Sequence, residues 1–427
     1  MTAAYSTETP DTRAWVLHPD IRTDRGRRDP DLALDEAVAL AHALPGIDLC
    51  GQEVVPVPRA RPGLLFGEGT VDRLRALFKA EEIGLVLIDG PVTPVQQRNL
   101  ERAWGAKILD RTSLILEIFA DRARTREGVL QVDQAALAYQ RTRLVRAWTH
   151  LERQRGGLGF VGGPGETQIE ADRRAIDEAI TRLRRQLSKV VKTRDLHRAA
   201  RKKVPYPVVA LVGYTNAGKS TLFNRLTGAE VMAKDMLFAT LDPTMRAIEL
   251  PGGPPVILSD TVGFISNLPT ELVAAFRATL EEVLSADLIL HVRDIAHPET
   301  EAQAEDVRRI LESLGVGEDR PVVEIWNKTD LLSPDAQATA EARAARASNV
   351  LLLSALSGAG TDTLLERLAD RLSEPVTETD VTLSYADGRK RAWLFERGLV
   401  SAEHETDAGF SLSVAWTERQ RMAFEAL

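Results

Sequence analysis

Sulfur and long apolar runs are the scarcest features of this sequence. Its 427 residues contain one cysteine, Cys50. No intrachain disulfide can form, which points to a reducing compartment, and Cys50 itself reads as inert. No apolar run approaches the ~20 residues that span a bilayer, so integral membrane association is not expected. Residues 1–20 carry acidic and proline residues but no basic start leading into an apolar stretch, so they do not read as a secretory signal. Internal repeats and low-complexity tracts are absent too. What remains is ordinary globular composition, 44% hydrophobic and 27% charged, at a length that suits roughly two to four domains. The expectation is a soluble cytoplasmic protein, monomeric, with no DNA partner.

The net charge of −8 is unevenly spread. Between Tyr139 and Lys203 there are 17 Lys+Arg against 7 Asp+Glu, a local excess of +10, so the rest of the chain carries −18. One basic segment on an acidic protein is a candidate polyanion-binding surface.

Taken in order, the pattern predicts an α/β multidomain chain. Residues 1–30 read as a flexible tail with a short strand at Ala14–Leu17. Residues 31–130 read as an α/β domain with a largely parallel sheet. Its helices are expected at Asp31–Leu44, Val71–Lys79 (Thr70 as N-cap) and Pro94–Trp104. Its strands are expected at Val54–Val57, Gly63–Phe66, Gly84–Ile88 and Lys107–Leu109. The Gly67–Gly69 pair before a helix suits either a tight turn or a second nucleotide site. Residues 131–204 turn helical, with apolar seams at Leu137, Leu144, Trp148, Leu151 and at Ile169, Ile176, Ile180, Leu183, Leu187, Val190. The glycine- and proline-rich loop 156–165 interrupts them, so two antiparallel helices joined by a loop are expected. The helix from Glu166 to Ala200 would be roughly 50 Å long. Arg153, Arg155, Arg173 and Arg174 flank the loop, and Gly156, Gly157, Gly163 and Gly165 lie in it. This basic hairpin is either a solvated structural face or an RNA-binding projection. Residues 205–375 read as a doubly wound nucleotide domain, with a helix expected at Leu272–Leu284. Residues 376–427 read as a small α+β domain.

The nucleotide domain opens with Gly213-Tyr214-Thr215-Asn216-Ala217-Gly218-Lys219-Ser220. This fits the phosphate loop G-x-x-x-x-G-K-[ST], and it lies between the buried strand Val208–Val212 and a helix starting at Thr221. Backbone N–H groups and the helix N-terminus would face the phosphates. Lys219 would reach the β- and γ-phosphates, and the Ser220 hydroxyl would ligate Mg²⁺. Asn216 suits either a monovalent cation such as K⁺ or a loop-stabilising hydrogen bond. Asp260-Thr261-Val262-Gly263 follows an apolar strand. There Asp260 can hold Mg²⁺ directly or through water, and Gly263 can offer its N–H to the γ-phosphate. Asn327-Lys328-Thr329-Asp330 chooses the base. The Asp330 carboxylate pairs with the two guanine donors that adenine lacks. Asn327 reaches the other side of the base and the Lys328 stem covers its face. Ser354-Ala355-Leu356 fits the contact to guanine O6.

Phe238-Ala239-Thr240-Leu241-Asp242 lies between these elements as a switch segment. Thr240 or Thr244 would supply its Mg²⁺-binding hydroxyl, and spacing does not separate them. The residue after Gly263 is Phe264, where many GTPases place a water-orienting glutamine. Slow intrinsic hydrolysis, stimulated by a partner or a cation, follows. Arg246 is a weaker candidate for an arginine finger in cis. His150, His291 and His297 read as structural.

With these motifs the sequence resembles the HflX family of translation-associated GTPases. The resemblance extends to Asp110-Arg111-Thr112, to Ala120–Gly128 and Leu130-Gln131-Val132, and to Gly163–Glu170 and Asp172-Arg173-Arg174. It also includes Phe238–Asp242 and Asp260–Phe264. It covers roughly residues 50 to 375, and the C-terminal unit more loosely. Phe160-Val161-Gly162 departs from the more polar family form. The resemblance implies a GTP/GDP-binding hydrolase on the large ribosomal subunit, partly ribosome-associated in the cell, whose glycine loop points at the peptidyl-transferase region. It implies that the GTP form splits stalled or idle ribosomes, that the basic shoulders contact rRNA, and that Thr240 is the Mg²⁺ ligand. Lys219, Thr240 and Gly263 are then the residues that carry hydrolysis. Two other readings are an ATP-driven RNA remodeller using the N-terminal domain, and a regulatory GTP switch without splitting.

Overall fold

The computed structural model describes residues 11–427 except 25–26, 155–163, 202–205, 230–236, 239, 242, 254, 267–282, 318–319, 373–375, 407 and 426; in 145–154, 164–169, 193–201, 376 and 418–419 it describes the backbone alone.

The chain begins with four parallel strands, β1 (Thr12–Ile21), β2 (Ile47–Val57), β3 (Leu85–Ile88) and β4 (Lys107–Asp110), in the order β2-β1-β3-β4. The first is a correction to the expected tail. Ten residues form a strand that runs beside β2 along its whole length and beside β3 over Ala14–Leu17. Its polar stretch His18-Pro19-Asp20 breaks the apolar alternation that would have marked it. Pro19, which cannot donate to a ladder, falls beyond the β3 pairing. The strand expected at Gly63–Phe66 is instead a turn closed by an Arg61–Leu65 bridge.

Helices α1 (Pro30–His42), α2 (Glu68–Ala80), α3 (Pro94–Trp104) and α4 (Arg111–Arg122) alternate with these strands. α2 starts at Glu68 with Gly67 as N-cap, not at Val71 with Thr70. A Cβ at Gly69 would meet nothing within 4 Å, so no close approach demands glycine there. α3 has a full capping box, Thr93 with Gln96, and stops at Gly105 in the left-handed conformation. α4 is capped by Asp110, whose carboxylate accepts the Ser113 N–H at 2.9 Å. Leu74, Phe78, Leu100 and Trp104, from α2 and α3, form one core with β-sheet residues such as Leu17, Val86 and Ile108. Leu40 from α1 and Ile115, Ile118 and Phe119 from α4 belong to a second core.

That second core continues into the nucleotide-domain sheet. Its strands are β5 (Val208–Gly213), β6 (Thr244–Ile248), β7 (Val256–Asp260), β8 (Leu288–Asp294), β9 (Val322–Asn327) and β10 (Val350–Leu352), in the order β10-β9-β8-β5-β7-β6. All neighbours are parallel except the edge strand β6. Val212, Tyr214, Phe238, Leu241, Phe264 and Ile265 share the core with Phe119 and Leu40. The helix expected at 272–284 lies almost wholly outside the described residues.

Two long helices, α5 (Arg126–Gln154) and α6 (Pro164–Arg201), form the basic hairpin. Arg141 on α5 pairs with Asp177 on α6 at 2.7 Å. On α6, Ile176, Ile180, Leu183, Leu187 and Val190 are all shielded, while Arg173 and Arg174 are exposed, in keeping with the period-3.5 seam. At its base, α5 is tied to the first sheet. Arg143 donates to the Asp110 carboxylate at 2.9 Å and to the Val92 carbonyl at 3.2 Å, and Tyr139 donates to Asp110. Burial, then the Asp110 charge, pushes the Tyr139 hydroxyl up to about 12.

Residues 249–255 and 362–427 group as a separate compact unit. Its antiparallel sheet has the order β11 (Val376–Ser384), β13 (Gly409–Thr417), β12 (Val400–Thr406). Leu394, Leu412, Val414, Trp416 and Phe424 form its core. The sequence pattern predicts two of these strands, at Val381–Tyr385 and Ser411–Ala415. β12 has no apolar alternation to mark it, because Val-Ser-Ala-Glu-His-Glu-Thr is mostly exposed.

Candidate guanine-nucleotide site

The loop Gly213–Gly218 runs from the end of β5 into α7 (Lys219–Thr227), the helix start at the carboxyl edge of a doubly wound sheet. Gly218 has φ +92, and a Cβ there would lie 2.2 Å from the Asn327 side-chain nitrogen. Only glycine permits both that conformation and that approach. The Asn327 amide donates to the Ala217 carbonyl at 2.8 Å and its oxygen accepts the Ala355 N–H at 2.9 Å. One side chain therefore ties the phosphate loop, β9 and the Ser354-Ala355 turn together.

Lys219 is buried, and its ammonium donates to the Gly213 and Tyr214 carbonyls at 3.1 and 2.8 Å. Burial lowers its pKa to about 8 against the pull of Asp260. A short-range anion would restore a full charge there. Ser220 Oγ donates to Asp260 Oδ2 at 2.7 Å, Thr240 Oγ1 donates to the same oxygen at 2.8 Å, and the two hydroxyls are 3.0 Å apart. The other carboxylate oxygen, Oδ1, is buried with no hydrogen-bond partner among the described residues. Burial raises the Asp260 pKa, opposed chiefly by Lys219. Two hydroxyls and a carboxylate converging on one point, with one oxygen unpartnered, form the hard-oxygen donor set that suits Mg²⁺. Thr244 begins β6 and pairs with Asp260 along the ladder; Thr240, not Thr244, brings its hydroxyl to this cluster.

Thr261 is turned away, its hydroxyl donating to the Leu211 carbonyl at 2.6 Å. Gly263 lies against the phosphate loop. A Cβ there would come within 2.8 Å of Thr215 Cγ2 and 3.1 Å of Lys219 Nζ. Phe264 is fully buried, its ring in the core and its backbone bridged to Tyr214. Val262 is buried beside it, and Thr215, Thr221 and Asn216 line the loop, with Asn216 exposed. Phe238 (φ 56) and Leu241 are buried on either side of Thr240. Ala239 and Asp242 lie outside the described residues.

At the base end, Asp330 is exposed and accepts from the Ser354 hydroxyl. Lys328, in the left-handed region, is held by Asp294 at 2.8 Å. Leu356 is exposed, and its carbonyl and that of Ala355 accept from Arg225 of α7. Asp294 and Arg225 escaped the sequence reading because neither falls in a motif; both act on motif residues from other segments.

Of the candidate RNA contacts, Arg173 and Arg174 are exposed on α6. Arg155, Gly156, Gly157 and Gly163 lie outside the described residues, as do the side chain of Arg153 and the surroundings of Gly165. Arg246, on β6, is exposed. His297 Nδ1 accepts the Glu299 N–H at 3.0 Å, a local structural role. Among the described residues no His, Cys, Asp and Glu cluster could hold a metal, and no helix is long and apolar enough to cross a membrane.

Four family models match consecutive parts of the chain. They are a GTP-binding GTPase N-terminal domain (31–120), a GTP-binding GTPase middle region (122–201), a 50S ribosome-binding GTPase (208–328) and an HflX C-terminal domain (339–426). Curated relatives match over most of the length. GTPase HflX of Magnetococcus marinus is 49% identical over 89% of this chain and 85% of its own. GTPase HflX of Escherichia coli is 45% identical over 83% of this chain and 82% of its own. A GTP-binding protein from Sulfolobus solfataricus, solved with GDP, aligns with 84% of this chain and 98% of its own at 21% identity and a TM-score of 0.45. The chain belongs to the HflX family of GTPases.

Proposed function

We propose that this GTPase is Mg²⁺-dependent, acts on the large ribosomal subunit, and dissociates or rescues stalled or idle ribosomes, with hydrolysis stimulated by the ribosome. The observation that carries the hydrolytic part is the meeting of Ser220, Thr240 and Asp260 within hydrogen-bond reach of one another, with the Lys219 ammonium lying against Gly263. Ser220, Thr240 and, directly or through a water, Asp260 would hold Mg²⁺, which would neutralise charge on the β- and γ-phosphates. Lys219 answers the same charge from the loop side. The Gly263 N–H offers the γ-phosphate a donor where a side chain would intrude. The Asp330 carboxylate, with Asn327 behind the loop, selects guanine. The buried Phe264 ring cannot orient a water, so this kit lacks a group that an external partner or a cation at Asn216, such as K⁺, would supply.

The ribosomal part is supported by the description of the model that matches 208–328 and by the exposed arginines of the basic hairpin. The decisive experiment is cosedimentation of GTP-loaded protein with large subunits, coupled to stimulated turnover and subunit splitting. Absence of cosedimentation, or splitting that survives deletion of residues 156–165, sinks the proposal. Equal splitting with GTP and a non-hydrolysable analogue would show that hydrolysis only resets the state.

A further inference from the structure

Tyr214 is the second residue of the phosphate loop, and its ring is buried in the core shared with α1 and α4. Its hydroxyl is where three separate segments meet. It donates to Glu36 of α1. It accepts the backbone N–H of Ser266 at 2.7 Å. Ser266 is also held from its other side. Its hydroxyl donates to the same Glu36 carboxylate at 2.9 Å, and its carbonyl accepts from Arg111 of α4 at 3.1 Å.

Glu36 is fixed in its turn. Arg111 and Arg28 both pair with its carboxylate, and Arg111 also reaches Asp89 at 2.6 Å. Burial opposes ionisation of Glu36, but the two guanidinium groups outweigh it and hold the carboxyl below its ordinary range. The Tyr214 hydroxyl is pushed upward by burial and by Glu36, so it stays protonated and able to donate.

Two further bonds run beside this one. The Phe264 N–H donates to the Gly213 carbonyl at 3.1 Å, and the Thr215 N–H donates to the Phe264 carbonyl at 2.6 Å. Residues 213–215 and 264 are thus paired like a short ladder, and the Tyr214 hydroxyl extends it to residue 266. Gly263, whose N–H is the proposed γ-phosphate donor, begins the segment so held. The Phe264 side chain points into the core. The backbone of 263–266 is therefore the part of this segment that can serve the reaction, and its placement is set by hydrogen bonds.

We infer that Tyr214 is a positioning residue for GTP hydrolysis, clamped by Glu36 and Arg111 of the N-terminal domain, and that it sets the 263–266 backbone against the phosphate loop. The inference rests on the proposed phosphate site at Gly213–Ser220. A tyrosine here supplies what phenylalanine could not. The ring fills the core equally well in either case, but the hydroxyl would be costly to bury without partners, and it has one on each side of the domain boundary.

The test is single-turnover GTP hydrolysis by full-length Tyr214→Phe, alongside GDP affinity and thermal stability. The expected result is kcat lowered about tenfold, the worth of one hydrogen bond to a charged group, with KM and GDP affinity within about twofold of the parent. Glu36→Gln should lower kcat similarly, and the double variant should be no slower than the slower single one, because both act through one contact. A kcat for Tyr214→Phe within twofold of the parent overturns the inference. So does a loss carried by KM and GDP affinity together, which is the signature of a merely structural tyrosine. Lys219→Ala is run in parallel: if it keeps full GTP affinity, the phosphate site itself is misassigned, whatever Tyr214→Phe shows.

Discussion

The ring of Phe119 meets the ring of Phe238 edge to face, with centroids 4.6 Å apart. Phe119 lies on α4 of the first domain, and Phe238 lies two residues before Thr240. Phe238 is buried with a backbone φ of 56°, a conformation a bulky residue adopts at a cost of about 1–3 kcal/mol. The aromatic contact helps offset that cost. The first domain is in this way a packing partner of the segment that carries the Thr240 hydroxyl.

Phe119→Ala should therefore destabilise the chain by about 3–5 kcal/mol, the range for emptying a buried aromatic site. Phe119→Leu should cost less, about 1–2 kcal/mol. Urea unfolding of both variants gives the comparison. Equal stability of Phe119→Ala and the parent would show that the site collapses freely around the gap.

Asp330→Asn should shift nucleotide preference from guanine towards xanthine. A carboxylate proposed to accept two guanine donors becomes an amide with one donor and one acceptor, and GTP affinity should fall about 100-fold or more. Competition of GTP and XTP for a fluorescent nucleotide measures the shift. Unchanged preference would remove Asp330 from the base site.

Gly263→Ala should stop turnover while sparing GDP binding. The added methyl would lie 2.8 Å from Thr215 Cγ2 and 3.1 Å from Lys219 Nζ, so the segment must move away from the γ-phosphate side of the loop. A loss of at least about tenfold in kcat is expected, since small misplacements at a reacting centre are costly. Parallel measurement of GDP affinity separates this from general misfolding.

Stability should fall as the pH drops from about 6.5 towards 4, in part through His291. This histidine is buried on β8, and burial lowers its pKa to about 4; Glu324 opposes the shift while Arg293, Arg308 and Lys219 add to it. The folded chain keeps the ring neutral, whereas the unfolded chain takes up a proton below about 6.5. Stability from this group is thus complete above 6.5 and lost on acidification through the window, by on the order of 3 kcal/mol. His291→Asn should flatten that part of the pH dependence of urea unfolding between pH 5 and 7. An unchanged slope would mean that the ring is protonated in the fold.

The sequence by itself determined the elements whose chemistry is local. A phosphate loop needs glycines at fixed spacing and a lysine at its end, so Gly213–Ser220 is visible in eight letters. Base selection needs an acid at one strand end, so Asn327–Asp330 is visible in four. The alternation of strands and helices, and the 3.5-residue seams of the basic hairpin, followed from side-chain periodicity. Only the tertiary structure decided what joins distant segments. It made Thr12–Ile21 a full sheet strand, because pairing with β2 and β3 compensates for residues that look like a tail. It brought the hydroxyl of Thr240, which the family resemblance favoured and spacing did not single out, to the Asp260 carboxylate. It brought Glu36 to Tyr214 across 178 residues and Arg111 to Ser266 across 155. No spacing rule links such residues. A buried carboxylate draws in guanidinium groups and hydroxyls from whichever segments the packing places beside it, because a buried charge is tolerated only when paired.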